Sequence, residues 1–382
     1  MYKGLTLIIN SHLQQILTLH NIIPQEQCGF NKAQDTLSAI VTYLETIKTS
    51  THHKLPLHVV YIDFKAAFDS VQHWTITQIL QHLQINPITT HFITNIMTHC
   101  YTSIQIQNSQ TEKILLNNGI KQGNPLSPTL FLIYLLPLQW LLNKTQQKTV
   151  TNINHLDDLL LLSHSRQNIE SLLGLTALYN YYTDMSINSY KSAYSYMNSP
   201  PQTPLSIALQ HNETLTQINI DHIPSSKSYK YLGLDINLNL DFTDTFTLMH
   251  KKYKDTISHI ITKRYLGINL LIKLINTVAV PKIAYSMNFI KWQNSALDEM
   301  DDFTTSSICT TFKVPKFIPN QFWFIVKNLK SIKDINVIRY HTYINDSTQP
   351  LDNNPITQQL TNSDQYQLFT SIKLLQVPRF KY

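Results

Sequence analysis

At 382 residues the chain exceeds the usual size of one domain, so two or three subdomains sharing a continuous core are expected. Hydrophobic residues make up 43% and charged residues 14%, with 20 Tyr and 15 Phe, which excludes a disordered chain. The net charge of +6 permits a polyanionic partner, and the whole excess lies between Asp241 and Asn345, where twelve Lys and two Arg face eight Asp and Glu.

Residues 5–20 have helical spacing, Pro24 and Gly29 punctuate the next stretch, and a second helix is predicted from Thr36 to Ile47. LHVVYIDF, residues 57–64, predicts a strand that ends in an acid and feeds a helix in AFDSVQHWTITQILQHL. SIQI (103–106) and KILL (113–116) predict a hairpin, 119–128 a loop, and Leu126 to Leu142 a helix. That last stretch is the longest apolar one, but Ser127, Pro128, Pro137 and Gln139 interrupt it and no basic anchors flank it. It reads as a buried helix and not a membrane span. TVTNINHL and LLLLS predict a second hairpin with Asp157 and Asp158 at its tip, followed by a helix from Arg166 to Tyr182. Pro200, Pro201 and Pro204 break the chain before a strand in KYLGLDINL, 230–238. Beyond Phe242 the patterns are helical and basic, and from Asp346 to Gln367 the polar composition reads as a linker.

Cys28, Cys100 and Cys309 are odd in number and far apart, which excludes a disulfide framework or a CxxC zinc site and fits a reducing compartment. Met1 leads directly into an amphipathic run with no secretory signal, so the expectation is an intracellular protein, the nucleus included, with no address to read. Glycine is scarce: seven are present where average usage of about 7% gives about 27. Each one left is expected to stand where a side chain fits badly.

Asp63 ends a buried strand and Asp157 with Asp158 tips a hairpin, so the three carboxylates converge if those strands are neighbours. Phosphoryl transfer needs such a cluster, because two Mg²⁺ ions about 3.5–4 Å apart require hard oxygen ligands. An Asp-Asp pair at a turn is by itself more often a solvated loop.

Around these acids, YIDFKAAFDSV (61–71), GIKQGNPLSPTLF (119–131), HLDDLLLLS (155–163), NSYK (188–191) and YKYLG (229–233) resemble, in order, motifs A to E of reverse transcriptases of the non-LTR, LINE-type retrotransposon family. IIPQEQCGFNKAQDTLSAI (22–40) is similar to that family's fingers motif, and NTVAVPKIAY (276–285), Trp292 and LDEMDD to its thumb. The resemblance covers about Tyr2 to Ile335, and Gly29, Gly119, Gly123 and Gly233 all fall inside its blocks.

The resemblance implies an α/β right-hand polymerase: fingers and palm over 1–240, a basic helical thumb over 241–345, and a polar linker opening a truncated C-terminal region over 346–382. It implies Asp63 and Asp157 as the principal metal ligands and Asp158 as an auxiliary acid, with capping of the hairpin turn as the alternative for Asp158. Phe68 is implied as the ring that excludes a 2′-hydroxyl, beside Ala67, with core packing as its alternative. Gln122 and Gly123 are implied at the nucleotide, with Lys32 the one basic residue of the fingers block. Lys191 is implied as the general acid toward pyrophosphate, against a solvated lysine at a helix end. Tyr231, Leu232 and Gly233 are implied as the primer grip, against a plain strand ending. The implied cofactor is Mg²⁺, with Mn²⁺ as substitute, and the implied partners are an RNA template, a DNA primer and deoxynucleoside triphosphates. Neither a membrane nor a protein partner is legible.

The sequence also departs from the family pattern. His155 and Leu156 stand where an aromatic and usually an alanine precede the two aspartates, and His12 and Gln34 stand where two triphosphate-binding arginines are expected. No endonuclease, zinc-knuckle or RNase H pattern is present, so the expectation is a fragment of a larger element or a degraded copy. The expected activity is RNA-directed DNA polymerisation by two-metal nucleotidyl transfer. Its rivals are a catalytically decayed nucleic-acid-binding remnant and, were a polar residue in place of Phe68, an RNA-templated RNA polymerase.

Overall fold

The computed structural model describes residues 2–29, 35–144, 150–211, 214–263, 265–314, 323–324 and 329–335. They form two compact units, one running to Lys227 and the next beginning at Ser228.

The first unit is built on a four-stranded antiparallel sheet. Its strands are β1 (Leu57–Ile62), β6 (Val150–His155), β7 (Asp158–Ser163) and β8 (Ala193–Met197), in the spatial order β6-β7-β1-β8. β1 is buried along its whole length, as expected of a strand paired on both edges and covered on both faces. Ile62 lies opposite Leu159, Tyr61 opposite Ala193, and His155 opposite Asp158. This register puts the end of β1, the β6–β7 turn and the start of β8 at one end of the sheet.

Six helices surround it: α1 (Tyr2–Leu19), α2 (Thr36–His52), α3 (His73–His82), α4 (Pro87–Thr98), α5 (Ser127–Lys144) and α6 (Arg166–Thr183). Asp35 starts α2 by accepting from the Ser38 backbone N–H at 2.8 Å, and Asn86 starts α4 by accepting from Ile88 N–H at 2.9 Å with Pro87 in the first turn. α5 is the apolar stretch of the sequence, and nearly every side chain from Ser127 to Leu142 is buried. No helix among the described residues is long and apolar enough to cross a membrane.

In this unit the structure corrects two expectations. SIQI does not pair with KILL. Tyr101–Thr102 (β2) pairs with Ile114–Leu115 (β5), and Gln105–Ile106 (β3) pairs with Ser109–Gln110 (β4) inside it, because a turn with Gln107 in the left-handed region closes the inner ladder after two residues. The proline-marked stretch also leads into a further hairpin, β9 (Leu205–His211) with β10 (Thr214–Ile220).

The second unit opens with a hairpin of β11 (Tyr229–Tyr231) and β12 (Leu234–Ile236), where one continuous strand over 230–238 is expected. Helices α7 (Thr243–Ile261), α8 (Ile268–Leu274), α9 (Val280–Ala284) and α10 (Asn294–Phe312) come next, with a π-helical turn at Ile275–Ala279. The hairpin belongs with these helices: Thr245 Oγ1 donates to Asp235 O at 3.0 Å and Tyr285 Oη to Leu232 O at 3.0 Å. α7 buries Tyr253, Ile257 and Ile260 and exposes Lys251 and Lys252, while Lys254 pairs with Glu299 of α10. Asp301, in the LDEMDD stretch, is buried and accepts from Ser331 Oγ and Ile332 N–H, both at 2.8 Å. Its role is structural.

Candidate active site

Asp63 follows β1 directly, Asp157 lies in the β6–β7 turn and Asp158 begins β7, so the ladder of β1 with β7 brings all three to the same end of the sheet. All three are half-buried. Burial, then the charges of Asp157 and Asp63, lift the Asp158 carboxyl to about 6. Among the described residues no group of three or more His, Cys, Asp or Glu side chains is drawn together tightly enough to hold a metal ion. The donor chemistry nevertheless suits a hard divalent cation, because these carboxylates repel one another and a cation between them removes that repulsion.

The backbone of Asp63 is fixed from both sides. Its N–H donates to Ser192 Oγ at 3.1 Å and its carbonyl accepts from Asn188 N–H at 2.8 Å, while Lys65 N–H donates to Ser186 O at 2.8 Å. The segment 186–192 therefore runs beside the end of β1, and Lys191 sits on it as an exposed residue whose N–H bonds to Asn188 O.

Phe68 lies on the turn after β1, half-buried, with its ring stacked on buried Phe131 of α5 at a centroid distance of 4.6 Å. One face thus packs on the core and part of the residue is open. Beside it, Ala67 is 5% exposed and belongs to the main core. The loop carrying Gln122 and Gly123 is clasped to the same turn: Gly119 N–H donates to Val71 O at 2.8 Å and Ile120 N–H to Phe68 O at 3.0 Å. Gly119 has φ +89°, and a Cβ there would meet the Asp69 backbone at 3.1 Å, so only glycine lets the loop approach. Gln122 is exposed, and Gly123 faces open space. Lys32 and Gln34 lie outside the described residues, and His12 is on the exposed side of α1.

A family model described as reverse transcriptase (RNA-dependent DNA polymerase) matches residues 1–236. The chain belongs to this family. It is 33% identical over 165 residues to a retrovirus-related Pol polyprotein from type-1 retrotransposable element R2 of Popillia japonica, over 41% of this chain and 27% of that one. To the corresponding polyprotein of the type-2 element R2DM of Drosophila melanogaster it is 22% identical over 235 residues, 59% of this chain and 21% of that one. The chain spans about a quarter of the length of the curated relatives it matches. A solved telomerase from Candida tropicalis, in complex with a fragment of telomeric RNA, is similar with a TM-score of 0.46 and 11% identity, over 97% of this chain and 56% of that one.

Within this reverse transcriptase domain the departures at the β6–β7 turn have internal partners. His155 Nε2 is 3.1 Å from Thr36 Oγ1, and burial lowers the imidazole pKa. Leu156 takes φ +58° and packs partly against the core. A bulky residue in the left-handed region costs about 1–3 kcal/mol and persists where its surroundings impose it. In the second unit the YLG element forms the β11–β12 turn, with Tyr231 buried, Leu232 at φ +47° and Gly233 exposed at φ +83°.

The burial of Asp158 beside two other acids has a measurable consequence. The folded protein holds the Asp158 proton more tightly than the unfolded chain, so cation-free stability falls as pH rises from about 3.8 to about 6 and stays low above that. After discounting for solvent screening this amounts to about 1 kcal/mol. Asp158→Asn is therefore expected to raise the thermal midpoint at pH 7.5 by about 2–4 °C without divalent cation, and to leave it unchanged at pH 4. A difference that ignores pH would show that burial and the neighbouring charges do not raise the proton affinity of Asp158.

Proposed function

We propose that the chain is an RNA-directed DNA polymerase of a non-LTR retrotransposon, a nucleotidyltransferase that extends a DNA primer on an RNA template with deoxynucleoside triphosphates. The observation that carries this reading is the strand register, which gathers Asp63, Asp157 and Asp158 at one end of the sheet. These acids would hold Mg²⁺ or Mn²⁺, which when bound activates the primer hydroxyl and stabilises the leaving pyrophosphate. Gln122 and Gly123 line the side where the nucleotide would bind, and Lys191, on the turn tied to Asp63, would protonate the pyrophosphate. Residues up to 240 act as fingers and palm, and the basic region from 241 to 345, with the Tyr231–Gly233 grip, holds the duplex through Lys251 and Lys252.

Primer extension on an RNA template, dependent on divalent cation, tests the assignment, and binding without extension would instead favour a decayed remnant. Phe68 is proposed as the sugar discriminator, held against Phe131 so that its ring is a rigid wall. Phe68→Val is expected to raise the ratio of kcat/KM for ribonucleotides over deoxyribonucleotides by up to about 10²-fold, the scale on which a pocket senses one hydroxyl. An unchanged ratio would return Phe68 to core packing alone.

A further inference from the structure

The turn that carries Asp157 is held from outside the sheet. β6 is an edge strand, and residues 26–28 pair with it: Asn154 N–H donates to Glu26 O at 2.8 Å, Cys28 N–H donates to Asn154 O at 2.7 Å, and Gln27 forms a parallel bridge with Asn154. At the tip, the side-chain oxygen of Gln27 accepts from two backbone donors, Leu156 N–H at 3.1 Å and Gly29 N–H at 2.9 Å. Gln27 is fully buried. Gly29 seats against the same peptide, where a Cβ would stand 2.8 Å from the Leu156 nitrogen. Behind the tip a chain of side-chain amides runs from Asn154 to Asn152 (2.7 Å), to Asn143 (3.0 Å) and to the Glu26 carboxylate (2.8 Å).

Leu156 immediately precedes the two acids and is the left-handed residue of their turn. A two-residue hairpin turn with leucine in that place has no glycine or asparagine to make the conformation comfortable. Something outside the hairpin has to select it, and the bond to the Leu156 N–H does so at the residue that sets the direction of Asp157.

We propose that Gln27 is a positioning residue for polymerisation: its buried oxygen fixes the Leu156 peptide and thereby aims Asp157 and Asp158. This rests on the assignment of those acids to cation binding. Supporting groups one step removed from a metal site typically change metal affinity or activity about 10–100-fold when lost.

The test uses Gln27→Met, which keeps the length of the side chain and removes the acceptor, with Gly29→Ala as a second variant that pushes the same peptide from the other side. Four quantities are read on the full chain: hydrogen exchange at the Leu156 amide, Mn²⁺ binding by electron paramagnetic resonance, kcat and KM for dNTP, and the thermal midpoint. Expected are faster exchange at Leu156 with the amides of β7 still protected, Mn²⁺ affinity and kcat each lower by about 10–100-fold, and dNTP KM within about twofold. Should Gln27→Met fail to fold, Gly29→Ala decides by the same readings. Leu156 exchange and Mn²⁺ affinity that stay at wild-type values, or a loss of kcat that merely tracks a fall in thermal midpoint, would overturn the proposal. A wild-type chain that neither binds Mn²⁺ nor extends a primer would overturn the underlying assignment, and the proposal with it.

Discussion

Asp63→Asn is expected to reduce primer extension on an RNA template by about 10³-fold or more, and Asp157→Asn to do the same. A bound divalent cation contributes several kcal/mol of charge stabilisation to phosphoryl transfer, and each 1.36 kcal/mol is a factor of ten in rate. Asparagine keeps the shape of aspartate and removes the charge that retains the cation. The backbone bonds of Asp63 to Ser192 and Asn188 do not involve its carboxylate, so the variant retains its local structure and the loss reports chemistry and not unfolding. Asp158 is different, since it opens β7 and carries the raised proton affinity of the group. Asp158→Asn is expected to cost less activity than either of the others. Extension that survives both Asp63→Asn and Asp157→Asn, with contaminating polymerase excluded, would remove these acids from the mechanism.

The elements that frame these acids are legible in the sequence because their signals are local. β1 and β7 are short apolar runs, and α5 is apolar on all sides, as befits a helix enclosed by the core. Other elements are hidden for physical reasons. α4 is rich in Thr and Ile, which are weak helix formers, and only Asn86 with Pro87 announces it. β8, with the sequence AYSYM, has no apolar run, and its burial comes from pairing with β1, which lies far away in the chain. The β11–β12 turn is masked because Leu232 occupies a left-handed place where Asn or Asp would have signalled a hairpin. Leu156 does the same at the β6–β7 turn, although there the paired acids between two apolar runs still mark the tip. The supports of the site are the least legible part. Gln27 and Ser192 accept from distant peptide N–H groups and Asn188 donates its own N–H to the Asp63 carbonyl, and such bonds leave no periodic trace. Gly29 carries the one usable signal, and only in part: a Cβ there would crowd the Leu156 peptide, but Gly4, Gly174 and Gly267 have open space and no left-handed φ, so glycine scarcity alone does not mark a crowded backbone.

Lys191→Ala is expected to lower kcat by about 10²–10⁴-fold with little change in the KM for dNTP. A proton delivered only as pyrophosphate departs stabilises the transition state and contributes nothing to ground-state binding, so the effect belongs in kcat. The position of Lys191 supports this division. It is exposed, and its turn is tied to the Asp63 carbonyl through Asn188, so the ammonium is carried by the same rigid end of the sheet as the acids. Charge and proton donation are separated by Lys191→Arg. A guanidinium supplies the positive charge but keeps its protons at any working pH. If Lys191 is the general acid, arginine restores nucleotide KM to the wild-type value and leaves kcat low. If arginine restores kcat, the lysine acts as a fixed charge beside the leaving group, and the proton comes from elsewhere. A change confined to KM in the alanine variant would make Lys191 a triphosphate-binding residue instead.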